Sequence, residues 1–143
     1  MIFKETHRYV LDSTKTQTRR LVKPGDIAFA QPGAAGSFYP TALVTDARNR
    51  LRWEVGKDYA VQSGRGKSSL GRIRLIAIRK EQLQEISAED CTSEGLVTYH
   101  REHAAVSDLR QQFEMLWDGI HTLNGQRWDD NPEVWVLEFE LAR

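Results

Sequence analysis

Basic side chains are the residues of this chain whose types and clustering point most directly to chemistry. Six of them fall within residues 59–80 and four within residues 13–25, and neither segment contains an acidic residue. They are Lys15, Arg19, Arg20, Lys23, Arg65, Lys67, Arg72, Arg74, Arg79 and Lys80. Clustered guanidinium and ammonium groups bind anions, and phosphate above all. A nucleotide or nucleic acid is therefore one predicted class of partner.

The net charge of zero hides an asymmetry along the chain. Residues 1–80 hold 16 of the 20 basic and 6 of the 20 acidic residues, whereas residues 81–143 hold 4 and 14. The basic half either presents a positive field to an anionic ligand or is neutralised by the acidic half within one globule. The positions of these residues in the fold decide between the two interpretations.

Two sequence features suggest a nucleotide site or a metal site, but the residues around them do not fit such a site. A triphosphate-binding loop ending in the Gly-Lys-Ser that begins at Gly66 needs a glycine five residues earlier, where a valine stands. His100 and His103 lack a third ligand at matched spacing, which is more typical of a solvated helix or loop than of a metal site. The single cysteine, Cys91, excludes an internal disulfide and a thiolate-rich zinc site. The sequence predicts neither a metal nor a cofactor.

Length and hydropathy favour one soluble domain. The 143 residues are 40% hydrophobic, and they contain neither the roughly 18 consecutive apolar residues of a membrane span nor the apolar core of a secretory signal. We expect a single domain over residues 1–143, a cytoplasmic location and no membrane partner. Residues 31–53 are punctuated by Pro, Gly and Asn, which predicts a loop-rich insertion with at most a hairpin.

The predicted elements form an α+β arrangement, because strands and helices do not alternate as regular βαβ units. Apolar spacing predicts a short opening helix that includes Phe3 and Leu11. Runs rich in β-branched and apolar residues predict strands at residues 15–22, 25–31, 58–62 and 71–80. The expected architecture is a small mixed β-barrel flanked by short helices.

A second helix is predicted after Ile86, where Ser87 caps the N-terminus and Asp90 completes a capping box. Gly95 suits the left-handed residue that ends a helix, and this places Glu94 at the carboxyl end. A carboxylate is unfavourable there by roughly 0.3 to 1 kcal/mol, because the helix dipole is negative at that end. Glu94 is therefore either a functional residue or an indifferent, exposed one.

The C-terminal part of the chain supplies much of the predicted core. A helix from about residue 104 to residue 120 has one apolar face, which we assign to the core rather than to a ligand site: Val106, Leu109, Phe113, Leu116 and Ile120. A strand from Val134 alternates, with an inward set of Trp135, Leu137, Phe139 and Leu141, and with Glu138 and Glu140 on a wet face. Trp117 and Trp135 are assigned to the core, whereas Trp53 and Trp128 stay open as platforms for stacking bases.

Several ordered segments resemble the ASCH family, whose members share a β-barrel similar to that of the PUA RNA-binding domains. The segments are KTQTRR from Lys15, the basic glycine loop before Gly71, LQEISAEDCTSEG from Leu83, FEMLWDGIH from Phe113 and NPEVWVLEF from Asn131. The tryptophan-bearing tail is similar to that of small proteins often found in bacteriophages and prophages. The resemblance covers most of the chain outside residues 31–53, and it implies a PUA-like barrel with RNA or a modified nucleoside as partner.

A small bacterial ASCH enzyme that hydrolyses the acetyl amide of N4-acetylcytidine implies a sharper hypothesis. Its K-T-x-T-x-R signature matches residues 15–20, where its lysine and threonine correspond to Lys15 and Thr18. Its glutamate lies eight residues after the aliphatic residue that precedes the helix cap, which is the spacing from Ile86 to Glu94. The resemblance therefore implies an amidohydrolase whose catalytic residues are Lys15, Thr18 and Glu94.

This trio suits amide cleavage on chemical grounds as well. A threonine hydroxyl is a weak nucleophile that needs a base, and Lys15 can be that base where burial lowers its pKa. Glu94 can orient the lysine or handle a proton on the leaving amine, and N–H groups near Gly64 and Gly66 can stabilise an oxyanion. Lys15 and Thr18 face opposite sides of a regular strand, so Lys15 must lie in the preceding turn or at a twisted start.

Three functions stay open at this point. In the first, a basic cleft recognises RNA or a modified nucleoside through contacts at Thr16, Arg20, Gln62, Arg65, Lys67 and Arg72. The second is the amidohydrolase, which we favour over a ribonuclease. The third, binding of a host protein by a phage accessory protein, leaves no mark in the sequence. Against all three stands the interpretation of KTQTRR as an ordinary edge strand with solvated charges.

Overall fold

The computed structural model describes residues 1–4, 6–30, 40–96 and 106–142. Its helices are α1 (His7–Leu11), α2 (Ala88–Ser93) and α3 (Val106–Ile120), and single 3₁₀ turns cover Leu83–Glu85 and Trp128–Asp130. Its strands are β1 (Gln17–Leu21), β2 (Ile27–Ala30), β3 (Thr41–Thr45), β4 (Leu51–Glu54), β5 (Asp58–Val61), β6 (Gly71–Gln82) and β7 (Glu133–Leu141). The predicted α+β class is confirmed.

One antiparallel sheet joins the seven described strands. Its main order is β1-β7-β6-β3-β2, with β4 paired to β3 and β5 paired to β6. The 12-residue β6 is the central strand, because it pairs with β3, β5 and β7 and is bulged between Leu75 and Ala77. An isolated parallel bridge joins Ile2 to Gln62 and fastens the N-terminal segment beside β5. The strand β1 lies at one end of the main order, so one of its edges is free of strand pairing within the described sheet.

The last strand, β7, is buried on both faces along much of its length. Trp135, Leu137 and Phe139 face one side of the sheet, as their alternation predicts, and pack in two core clusters there. Val134 and Val136 on the opposite face are also fully buried, because they pack beneath α2 and α3. The expected wet face is therefore wrong for this part of the strand. The alternating pattern of β7 does not show whether its second face is exposed to water or covered by helices.

The helix α3 covers this sheet face with one apolar side. Phe113 and Trp117 are buried against the cluster that includes Val134 and Val136. The start of the predicted helix before Val106 lies outside the described residues. The observed end at Ile120 matches the predicted one.

Two strands lie within the segment for which a loop-rich insertion was predicted. The strands β3 and β4 form an antiparallel hairpin, and β3 also pairs with β2 and β6. The hairpin is therefore an integral part of the sheet. Its Val44 and Trp53 supply core side chains, which the loop-forming composition around them concealed. Residues 31–39 lie outside the described part of the chain.

No helix among the described residues is long and apolar enough to cross a membrane.

Candidate active site

A cavity of about 130 Å³ is lined by residues of β1, of the end of α2 and of the C-terminal half of α3. The N-terminal segment forms its remaining wall. Its ionisable lining residues are Lys4, Lys15, Arg19, Arg20, Glu94 and His121. Thr18 also lines it, and Phe113, Trp117 and Ile120 form much of its apolar wall. The three residues predicted as catalytic are thus brought to one cavity.

Lys15 reaches this cavity because it precedes β1. Its backbone N–H donates to the Tyr9 carbonyl at 2.8 Å, and the N–H of Thr16 donates to the Ser93 carbonyl at 2.8 Å. These bonds hold the chain against α1 and α2 before the strand begins. Thr18 follows as a strand residue, so the irregular start predicted from the spacing lets both side chains face one cavity.

Glu94 is placed by the end of α2. Ser87 caps this helix by accepting the N–H of Asp90 at 3.0 Å, as predicted, and Gly95 follows the helix end with a φ of +96°. A β-carbon at Gly95 would lie 3.3 Å from the β-carbon of Lys15. Glycine therefore serves both the left-handed turn and the close approach of the two segments that carry Lys15 and Glu94.

Lys15, Arg19 and Glu94 form a buried ion cluster at the cavity wall. Lys15 Nζ lies 2.6 Å from Glu94 Oε2, and Arg19 Nη1 lies 3.0 Å from Glu94 Oε1. Lys15 and Glu94 are each only 3% exposed. Two cations thus compensate the unfavourable position of this carboxylate at the end of a helix. The interpretation of Glu94 as an indifferent, exposed residue is wrong.

Arg19 connects this cluster to the acidic half of the chain. Its Nη2 lies 2.6 Å from Glu81 and 3.0 Å from Asp90. Asp90 also binds Arg79 at 3.2 Å, so its carboxylate does not complete the predicted capping box. Charge-assisted hydrogen bonds to two guanidinium groups are stronger than one to a backbone N–H. The expectation of solvated charges on KTQTRR is wrong for Lys15 and Arg19, whose partners come from the acidic half.

Burial changes the acid–base chemistry of Lys15. Desolvation lowers the pKa of its ammonium group from the ordinary value of 10.5, and the Glu94 carboxylate opposes this shift without cancelling it. A lysine with a lowered pKa gives up its proton more readily than an exposed one. Lys15 therefore has the acid–base property that a general base requires.

Arg20 lies on the same cavity but is bonded differently from Arg19. Its Nη2 donates to the Ile2 carbonyl at 2.6 Å, and its guanidinium carbon lies 5.3 Å from the centre of the Phe3 ring. Its Nε is buried without a hydrogen-bond partner in the described part of the chain. No carboxylate of the described residues lies within ion-pair distance of it. Arg20 is therefore a cation on the cavity wall with unused hydrogen-bonding capacity.

Five of the six residues predicted to contact a substrate or nucleic acid lie outside the cavity lining. They are Thr16, Gln62, Arg65, Lys67 and Arg72. Thr16 is exposed, and Gln62 Nε2 donates to the Lys67 carbonyl at 2.9 Å, which closes a surface loop. The last four residues, with Gly64 and Gly66, follow β5 or begin β6, and β7 separates β6 from β1 in the sheet. The glycines therefore do not supply oxyanion donors to this cavity.

The lining residues of the N-terminal segment and of α3, which include Lys4 and Trp117, were not assigned to a site from the sequence, and neither was the lining residue His121 directly after α3. The His121 ring stacks on Trp117 with a centroid distance of 3.7 Å and an interplanar angle of 17°. Burial lowers the pKa of His121 from its ordinary 6.5. The only signal in the sequence is the four-residue spacing from Trp117, which puts both side chains on one helix face. The apolar stripe of α3 is thus partly a cavity wall, which corrects its assignment to core alone.

The tryptophans that remained open as stacking platforms are buried. Trp53 and Trp128 are each 8% exposed, and they pack in separate core clusters. Arg52 and Arg110 lie over their rings at 4.0 and 5.6 Å from the ring centres. The rings therefore belong to the core, and a cation from the fold covers each of them.

The other reactive residue types give no second site. Cys91 is fully buried, and burial raises the pKa of its thiol to about 11, which makes the thiolate scarce. Across the described ranges, no group of three or more His, Cys, Asp or Glu side chains is gathered for a metal ion. His100 and His103 lie outside those ranges.

Comparison with known proteins identifies a shared fold. No family model and no curated protein matches the chain. A crystal structure of a protein from Enterococcus faecalis, described by the family model DUF984, is similar with a TM-score of 0.58 and 11% identity, over 97% of this chain and 71% of that one. An ASCH domain from Lactobacillus crispatus is similar with a TM-score of 0.47 and 16% identity, over 94% and 69%. The first likeness shows that the two chains share their fold.

Proposed function

We propose that the protein is an ASCH-type amidohydrolase that removes an acyl group from the exocyclic amine of a modified cytidine. The observation that carries this proposal is the buried pair of Lys15 and Glu94, at 2.6 Å, on the same small cavity as Thr18. A nucleophile, a base with a lowered pKa and a carboxylate are the groups that amide cleavage requires. The K-T-x-T-x-R resemblance supplies the acylated cytidine as substrate.

In this mechanism Thr18 Oγ1 attacks the acyl carbonyl carbon while neutral Lys15 accepts the hydroxyl proton. The tetrahedral intermediate then collapses, the C–N bond breaks, and Lys15 returns a proton to the leaving amine. Water hydrolyses the acyl-threonine ester in the second half of the reaction, again with Lys15 as base. The sum is amide plus water giving carboxylic acid plus amine, with Thr18 and Lys15 restored. Glu94 holds the Nζ atom of Lys15 in place through both halves.

The free edge of β1 supplies a backbone donor for the oxyanion. The Thr16 carbonyl accepts from Phe139 and the Val22 N–H donates to Glu133, so these residues direct their backbone groups to β7. Alternation then turns the backbone groups of Gln17 and Arg19 to the unpaired edge. The Arg19 N–H is therefore the donor that we assign to the oxyanion, in place of Gly64 and Gly66.

The test is hydrolysis of N4-acetylcytidine by the purified protein, with cytidine and acetate separated by chromatography. Thr18→Val keeps the shape of the side chain without the hydroxyl, and we expect it to lower kcat at least about a thousandfold. Lys15→Met should lower kcat by about a hundredfold to ten-thousandfold, the usual contribution of a general base.

Two substitutions away from the cavity are the matched controls. Thr92 on α2 and Lys23 after β1 are exposed and do not line the cavity, so Thr92→Val and Lys23→Met should keep full activity. Absence of turnover by the unaltered protein would overturn the proposal. Turnover that survives in Thr18→Val would overturn the assignment of threonine as nucleophile.

Binding of RNA is a second candidate function, and the exposure of Arg65 and Lys67 favours it. Neither side chain has a carboxylate partner among the described residues, and Arg72 is exposed beside them. Affinity for single-stranded RNA should then fall steeply with salt, and Arg65→Glu should weaken binding to all sequences alike. Arg50→Glu, on the β3–β4 turn, is the control. Binding that does not depend on salt would exclude this candidate.

A further inference from the structure

The cavity wall carries more positive than negative charge. Its lining includes four basic side chains, Lys4, Lys15, Arg19 and Arg20, but a single described carboxylate, Glu94. Lys15 and Arg19 both bind that carboxylate, and Arg19 has two further acidic partners outside the cavity. Lys4 and Arg20 have no ion-pair partner in the described part of the chain. The excess of charge therefore lies on these two residues.

Arg20 also lacks a partner for a buried hydrogen-bond donor. A buried donor without a partner is unfavourable, and a guanidinium commonly satisfies its donors on the oxygens of a phosphate or carboxylate. The ring of Phe3 and the carbonyl of Ile2 hold the guanidinium in place before any ligand arrives. Arg20 is thus held at the cavity wall with a guanidinium that lacks an anionic partner among the described residues.

His121 and Lys4 approach the same end of the cavity. Both line it, and the charges of Lys4 and Arg20 help to lower the pKa of His121, which places the three groups within electrostatic reach. Lys4 is exposed and His121 is half-buried, so this is the end that opens to solvent. Asp118, one turn before His121 on α3, is engaged by the Trp128 N–H and by Arg127.

We propose that Arg20, Lys4 and His121 form a phosphate subsite at the open end of the cavity. The ligand is then a nucleotide, either free or within an RNA strand, and a free nucleoside is the poorer ligand. The identity of the base rests on the proposed function, whereas the subsite rests on the cations alone. None of the exposed basic residues of the loop after β5 takes part, because none lines the cavity.

Calorimetric titration of the whole protein tests this subsite. Cytidine, its 5′-monophosphate, its 3′-monophosphate and a trinucleotide of cytidines are the four probes. We expect at least one phosphate-bearing probe to bind about tenfold or more tighter than cytidine, the effect of a charge-assisted hydrogen bond. A trinucleotide that binds tightest identifies RNA as the source of the phosphate, and a monophosphate that binds tightest identifies a free nucleotide.

Two variants and one control link the preference to the subsite. Lys4→Gln, at an exposed position, and Arg20→Gln should each reduce the ratio of the affinity for the phosphate-bearing probes to the affinity for cytidine several-fold. Lys23→Gln removes a cation outside the cavity and should leave this ratio unchanged. Equal affinities for cytidine and all phosphate-bearing probes, or a preference that survives both variants, would overturn the subsite.

The outcomes also separate this inference from the proposed function. A phosphate preference without hydrolysis of N4-acetylcytidine would leave the subsite standing and overturn the amidohydrolase. Hydrolysis of N4-acetylcytidine without a phosphate preference would leave the amidohydrolase standing and overturn the subsite.

Discussion

Lys15 combines two environments that act on its proton in opposite directions. Desolvation favours the neutral amine, and the carboxylate of Glu94 at 2.6 Å favours the ammonium. Desolvation prevails, so the pKa of Lys15 lies below its ordinary 10.5. A group balanced in this way can take up and release a proton within one reaction cycle.

The pH dependence of hydrolysis follows from that shift. The mechanism needs neutral Lys15, so kcat/KM should rise with pH and level off at a pKa below 10.5. A pH–rate profile of the unaltered protein and of Lys15→Met measures this limb. The limb should vanish in Lys15→Met, and its persistence there would show that another group is the base.

The sequence contains enough information to find the trio that we propose as catalytic, but not the rest of the cavity. Lys15 and Thr18 fall in one short motif, and Glu94 follows from the cap of α2, so local patterns are sufficient for each. Lys4 and His121 lie on segments that meet only in the folded chain, and no local pattern links them. A ligand contact at Arg20 could be predicted from its charge. The lack of a hydrogen-bond partner for its Nε could be seen only in the fold.

At the scale of elements, the end of α2 determines the geometry of the site. Its cap and its glycine terminus could be predicted, because both depend on residues within one helix. The partners of Asp90 could not, since they come from β1 and β6. The burial of Val134 and Val136 on β7 could not be predicted for the same reason, because the helices that cover them lie elsewhere in the sequence.

Gly95 provides a test of this element. Both Gly95 and Gly56 have a positive φ, of +96° and +91°, but only Gly95 has neighbours near an added β-carbon. Gly56→Ala should cost about 1 to 2 kcal/mol of unfolding free energy for the left-handed conformation alone. Gly95→Ala should cost more and should also lower kcat, because its β-carbon displaces Lys15.

Urea unfolding and steady-state hydrolysis, measured on both glycine variants, separate the two effects. Equal stability losses with kcat unchanged in Gly95→Ala would contradict the close packing of α2 against Lys15.

At the scale of the whole molecule, the two oppositely charged halves of the chain are joined at Arg19. Its side chain is fully buried, and it binds Glu81, Asp90 and Glu94. Lys80 and Glu133 add an exposed contact between the halves at 4.0 Å. Neutralisation within one globule therefore accounts for these residues, whereas Lys4 and Arg20 have no ion-pair partner in the described part of the chain.

Removal of Arg19 should take away the buried cation that Glu81, Asp90 and Glu94 share, and leave Glu94 with Lys15 and the other two carboxylates with the partly exposed Arg79. We expect Arg19→Met to lower the free energy of unfolding by about 3 to 5 kcal/mol. The matched control is Arg79→Met, since Arg79 also binds Asp90 but its side chain is 41% exposed. The control should cost at most about 1 kcal/mol. Equal losses in urea unfolding would contradict a special role for the buried guanidinium.

The docking of β1 onto β7 also sets when the site can exist during synthesis. Gln17 and Glu138 are hydrogen-bonded partners although 121 residues separate them, and 79 residues separate Lys15 from Glu94. Contacts of such long range form late, because the loop between the partners must be closed before they are gained. A nascent chain that still lacks β7 has no strand on which to align β1. The cavity is therefore assembled only after almost the entire chain described here has left the ribosome.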